Sequence, residues 1–121
     1  MAEDLSQYHH RISDLFPGSL VGTEREQWQL SSEQVAFYER NGYLPGVRVL
    51  TDEQIEALRR ELNAFFHPDH PGHELWYEYH TNESADPGTV LFHALGAWRI
   101  APGFHDLLWN PAFLVPASQL L

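Results

Sequence analysis

SSEQVAFYERNGYLPGVRVLTDEQIEALRRELNAFF, residues Ser31–Phe66, decides how this chain is read. Twice a hydroxyl residue stands three positions before a glutamine: Ser31 before Gln34, and Thr51 before Gln54. At that spacing the hydroxyl and the glutamine side chain each satisfy an amide that a helix start leaves without a partner. One helix therefore starts at Ser31, with Val35, Phe37 and Tyr38 for an apolar face. It stops at Asn41-Gly42, because glycine accepts the left-handed cap. Thr51 starts a second helix, with Asp52 and Glu53 in the first turn, where the dipole favours anions. Ile55, Leu58, Leu62 and Phe65 recur at helical intervals and predict one buried stripe, so Leu62→Ala is expected to cost roughly 2–5 kcal/mol. Glu56 and Arg60 are spaced to pair on the exposed side. Between the helices, Tyr43–Leu50 reads as extended chain broken at Pro45-Gly46, with Val47, Val49 and Leu50 suited to a strand.

Upstream, residues 1–30 read as a polar arm. Leu5, Tyr8, Ile12 and Leu15 have helical spacing, so the arm holds a short amphipathic turn that either docks or frays. Downstream, His67–Gly72 is a Pro/Gly connection, Glu74–His80 alternates aromatic and polar residues, and Thr81–Gly88 is a loop. Thr89–His93 is equally a strand or a helix start. Gly96–Pro102 reads as irregular. Phe104–Trp109 forms one or two helical turns, stopped by Asn110-Pro111. Pro111–Leu121 is a further short helix with Phe113, Val115, Leu120 and Leu121 apolar. Its end, Leu114–Leu121, carries no polar cap and no basic residue. It fits a helix docked on a core, and it fits better a chain cut within a fold.

Composition narrows the function classes. The chain has 121 residues, 43% hydrophobic and 13% aromatic, enough for one domain with a core. A formal charge of -10 repels phosphate backbones, which disfavours nucleic acid and anionic membranes as partners. All seven cationic residues are arginine, so there is no phosphate-loop or Schiff-base lysine. Without cysteine there are no disulfides, thiolate nucleophiles or cysteine-ligated zinc. No apolar run approaches the roughly 20 residues of a membrane span, and the N-terminus lacks a signal pattern. A cytoplasmic location is expected.

Candidate chemistry centres on histidine. His67-Pro68-Asp69-His70-Pro71-Gly72-His73 contains a literal His-x-Asp, the spacing at which two iron ligands leave one strand on the same side. Its prolines suit an exposed turn better than a core strand, and that is the expectation for His67 and Asp69. His73, His80, His93 and His105 could complete a metal set in principle, although none has the i, i+4 helical spacing. His80 and His93 either line a cleft or sit half-buried and hydrogen-bonded, whereas His9-His10 belong to the exposed arm. Among the acids, Asp52 and Glu53 are capping residues, Glu74 and Glu78 lie on a solvated face, and Glu83 and Asp86 lie in a loop. Trp76-Tyr77-Glu78-Tyr79 is expected to pack as core or lid rather than as a stacking platform. Nucleophile-elbow, phosphate-loop and dinucleotide motifs are absent from the sequence.

In order and spacing, Phe37-Tyr-Glu-Arg-Asn-Gly-Tyr-Leu44, Leu50-Thr-Asp-Glu-Gln-Ile-Glu-Ala-Leu-Arg59, Leu91–Ile100 and Pro102–Leu121 resemble the opening of the phytanoyl-CoA dioxygenase family. The resemblance implies an Fe(II)/2-oxoglutarate oxygenase that hydroxylates an acyl-CoA or a small metabolite. The implied fold class is α+β: a mainly helical N-terminal portion of a double-stranded β-helix, or jelly roll, truncated before its core strands. Residues 31–121 would then be the N-terminal part of that domain, a helical layer on the β-helix with part of the substrate entrance. In the family a His-x-Asp and a distal His hold iron, and a later Arg binds 2-oxoglutarate. All are expected beyond Leu121, because His67 and Asp69 stand at the wrong place in the pattern. No catalytic, cofactor or metal residue is therefore carried over, and these residues alone are expected to be inactive and without cofactor. Two alternatives stand beside this one: a non-catalytic interaction module or subunit, and a His-rich metal-binding protein built on His67–His73.

Overall fold

The computed structural model describes residues Met1–Leu121. It is a small α+β fold whose helices are α1 (Thr23–Glu26), α2 (Ser32–Asn41), α3 (Asp52–Phe65), α4 (Pro102–Leu107) and α5 (Pro111–Leu120). One antiparallel hairpin, β1 (Glu78–His80) with β2 (His93–Leu95), forms the only sheet. Short 3-10 turns lie at Leu5–Gln7, His73–Leu75 and Ala97–Arg99.

Both capping boxes form as the spacing predicts, with reciprocal bonds at Ser31/Gln34 and Thr51/Gln54. Gly42 ends α2 at φ 77°, and its amide bonds back to the Tyr38 carbonyl. The apolar face of α2 is only half-buried; it packs against α5, and Phe37 meets the Tyr43 ring edge-on at 5.6 Å. Tyr43–Leu50 forms no strand. The Val49 carbonyl is taken instead by the Asn110 side chain at 2.8 Å, so it joins no ladder.

The stripe on α3 differs from its expected form. Leu58 and Phe65 are buried, but Leu62 is 38% exposed. Glu61 turns inward in its place. Its two carboxylate oxygens accept the amides of Gly103 and Phe104 at 2.8 and 3.1 Å, which caps the start of α4 from a different helix. Glycine at 103 permits this approach, since a Cβ there would lie 2.7 Å from the Glu61 carboxylate. The cap lets α4 begin at Pro102, two residues before the expected start. Glu61→Ala is expected to cost about 0.5–2 kcal/mol, the range for a lost N-cap, measured by urea unfolding. No change would mean that the α4 amides find water instead. Glu56 pairs with Arg59 at 2.8 Å rather than with Arg60, on an exposed surface where either pair contributes little.

The arm docks. Leu5, Phe16 and Leu30 are buried together with Leu58, Phe65, Ala101 and Val115. Gln119 of α5 closes the far end of the arm by bonding both the amide and the carbonyl of Leu30. Asn110, expected only as a stop signal, also N-caps α5 by accepting the Ala112 amide. Of α5, Pro111, Val115 and Pro116 are buried while Phe113 faces outward, as does Leu121 just past its end. No helix is long and apolar enough to cross a membrane.

Candidate functional site

Two polar clusters and one apolar groove have the chemistry to act. The first cluster is buried where the arm crosses α4. Asp106 is 0% exposed and His105 1%. Asp106 accepts the Ile12 amide at 2.9 Å, the Ser13 amide at 2.7 Å and the Ser13 hydroxyl at 2.6 Å. His105 Nδ1 lies 2.9 Å from Asp106 Oδ1, and its Nε2 lies 3.1 Å from the Tyr8 carbonyl oxygen. Ser, His and Asp thus meet, but not as a nucleophilic triad: the serine bonds the carboxylate, and a main-chain carbonyl occupies the ring nitrogen that a catalytic serine would need. The cluster is a tether. A second tether pairs Arg99 with Asp4 at 2.5 Å, and Arg99 also bonds the Leu75 carbonyl at 2.9 Å.

Burial pushes the Asp106 carboxyl up. The Ser13 hydroxyl, the His105 ring and the Ile12 and Ser13 amides outweigh that and leave it below the ordinary value of 3.8. Asp4 is held well below that value by Arg99 first and Ser6 second. Both carboxyls therefore bind protons more weakly in the folded chain than in the unfolded one. Their contribution is complete above the unfolded carboxylate value of about 3.9 and is lost as pH falls through the lower folded values. The arm is expected to loosen only below about pH 4. An acid titration of tryptophan fluorescence checks this; release already between pH 7 and 5 would contradict it.

The second cluster lies on the outer face of the hairpin. The register pairs His80 with His93, which puts both imidazoles on the face that Glu78 shares. Glu83, in the loop, reaches back to them: its Oε2 is 2.8 Å from His93 Nδ1 and its Oε1 is 4.0 Å from His80 Nε2. Glu78 Oε2 lies 3.5 Å from His93 Nε2. The opposite face carries Tyr79, whose hydroxyl donates to the Phe65 carbonyl at 2.6 Å within the aromatic core.

The His-x-Asp lies elsewhere. His67 and Asp69 have side chains 68% and 90% exposed, 4.0 Å apart on a turn, and His67 Nδ1 accepts the Asp69 amide. His70 turns inward against the Phe65 ring, and the His73 ring stacks edge-on with Tyr79. These residues do not fit an iron site. Trp76 and Tyr79 pack with Phe65 as core rather than forming an open platform, while Tyr77 is exposed beneath Arg99. Glu74 and Glu78 are exposed and Glu83 lies in a loop, as expected; Glu78 and Glu83 also reach His93. Asp106, Glu61 and Arg99 went unnoticed in the sequence, because a single acid or arginine bonding distant backbone leaves no local pattern.

The groove, of about 400 Å³, runs between α5 and residues 38–49. Tyr38, Leu44, Val47, Phe113, Pro116 and Leu120 line most of it.

No protein-family model matches the chain, and no curated protein matches it.

Proposed function

We propose that this chain forms the N-terminal helical layer of a phytanoyl-CoA dioxygenase-like oxygenase, packed on the jelly-roll core that would carry the iron. The whole protein would couple Fe(II) and 2-oxoglutarate to hydroxylation of an acyl-CoA or a small metabolite. One observation carries the reading: the chain leaves too much surface uncovered. Its accessible area is 8213 Å² for 14.0 kDa. A self-contained protein of that mass exposes roughly 6,700 Å². The excess of roughly 1,500 Å² exceeds one side of a standard protein interface, about 800 Å². Leu62, Phe66, Leu91, Leu95, Leu108 and Phe113 are among the large apolar residues left exposed. A layer made to cover a sheet has this character. Since the His67-x-Asp69 of this chain lies on an open turn that does not fit the iron, the layer's own work is to support and to shape the substrate entrance.

The reading frame downstream of the Leu121 codon tests this. A His-x-Asp, followed much later by a second His, supports the oxygenase. A stop codon directly after Leu121 would remove it. The apolar groove favours a second reading, a module that binds an apolar partner, and a stop codon would leave that one standing.

A further inference from the structure

The outer face of the β1–β2 hairpin carries a constellation that the oxygenase reading does not use. We propose that His80, His93 and Glu83 bind a divalent transition-metal ion of the zinc type, with Glu78 as the residue that orients His93. This site stands apart from the His-x-Asp…His iron set and does not depend on it.

The argument starts from the register. Directly opposed residues of an antiparallel pair project to the same side, so pairing His80 with His93 brings the two rings to a centroid separation of 5.7 Å. The sequence places them thirteen positions apart, a spacing with no motif value of its own. A carboxylate then stands beside both rings. The separations from Glu83 are 2.8 Å to His93 Nδ1 and 4.0 Å to His80 Nε2. Those separations run to different oxygens of Glu83, and donor atoms about 2.0–2.1 Å from one tetrahedral ion stand about 3.3 Å apart, so binding needs the His80 ring to swing in. As the side chains stand, no group of three His, Asp or Glu is arranged to hold a metal ion, so the site forms only if they move. His93 Nδ1 and Glu83 are in direct hydrogen-bond contact instead. A cation would replace the proton between them, opening the short separation while His80 closes the long one. The Nδ1 proton shifts to Nε2, which faces Glu78, so the ion is held by two neutral imidazoles and one carboxylate. The fourth position stays open for water, the composition of an accessible rather than a closed zinc site.

Two features hold the set in place. Glu83 does not hang on a free loop: its amide donates to the Leu91 carbonyl at 2.8 Å, and Asn82 Oδ1 accepts the amides of Ser84 and Leu91. The loop is thereby pinned to the start of the second strand. Glu78 lies 3.5 Å from His93 Nε2, the ring nitrogen that would not bind the metal. A carboxylate on the far nitrogen of a metal-bound histidine fixes its tautomer and raises its basicity. Charge also agrees, because Glu78 and Glu83 together balance a dication in a chain whose net charge is -10.

Zinc(II) titrated into the full chain by calorimetry in a non-coordinating buffer, with cobalt(II) absorption as a second readout, tests the site. One equivalent should bind. His80→Ala combined with His93→Ala should abolish saturable binding and the cobalt spectrum, and Glu78→Gln should weaken binding about 10- to 100-fold. His67→Ala with Asp69→Ala should leave both unchanged. Circular dichroism confirms that the surface variants remain folded. Absence of stoichiometric binding, retention of binding in the His80/His93 variant, or loss in the His67/Asp69 variant would each overturn the proposal.

Discussion

Replacing Asp106 by alanine is expected to detach the N-terminal arm and destabilise the fold by roughly 3–5 kcal/mol, the cost of breaking a buried pair from one side. The carboxylate is fully buried and accepts from the Ile12 and Ser13 amides, the Ser13 hydroxyl and the His105 ring. Alanine leaves those donors buried without an acceptor, and each unsatisfied donor costs about 1–3 kcal/mol before relaxation. The arm can relax by leaving, and that limits the total. Asp106→Asn keeps the volume and one acceptor oxygen, so a smaller loss is expected. Urea unfolding gives the energy, and hydrogen exchange at the Ile12 and Ser13 amides reports the arm. A loss under about 1 kcal/mol, with those amides still protected, would show that the arm is held elsewhere.

Phe65→Ala is the second large effect, roughly 3–5 kcal/mol, while Leu62→Ala is expected to stay below about 1 kcal/mol. Phe65 is 1% exposed and meets Trp76 at 4.9 Å, His70 at 5.2 Å and Phe104 at 5.6 Å between ring centroids. Its carbonyl also receives the Tyr79 hydroxyl, so the residue joins α3 to the hairpin and to α4. Truncation leaves a cavity bounded by three rings from separate segments, which cannot all close inward together. Leu62 sits on the same helix with nothing comparable around it. Equal losses for the two variants would mean that Leu62 is covered in solution, as it would be beneath a further layer. The pair of measurements therefore also bears on the proposed function.

Local patterns were legible wherever partners lie within a few residues. The capping boxes at Ser31/Gln34 and Thr51/Gln54, the stop at Gly42 and the short helix from Pro111 all formed as read. The strand expected at Tyr43–Leu50 did not form, since β-propensity has effect only when another strand is available to pair. The stripe on α3 went astray at one position. Hydrophobic periodicity favours Leu62, but the free amides of α4 draw Glu61 inward, and turning the helix toward Glu61 turns Leu62 out. The same limit applied to the histidines. His67-Pro-Asp69 has motif spacing and lies on an open turn, while His80 and His93 have none and become neighbours through strand pairing.

By itself the sequence determined where α2, α3 and α5 start and where α2 stops, that the arm has apolar residues able to dock, and that cysteine and lysine chemistry are excluded. Those features depend on contacts within one or two helical turns or on composition. Only the tertiary structure decided which face of α3 is buried, that Asp106 and Arg99 tie the arm down, and that two histidines and two glutamates share one hairpin face. Each depends on groups far apart in the chain, such as Ile12 with Asp106 and Glu61 with Gly103. Those pairings follow from how whole elements stack, and no short window of sequence contains them.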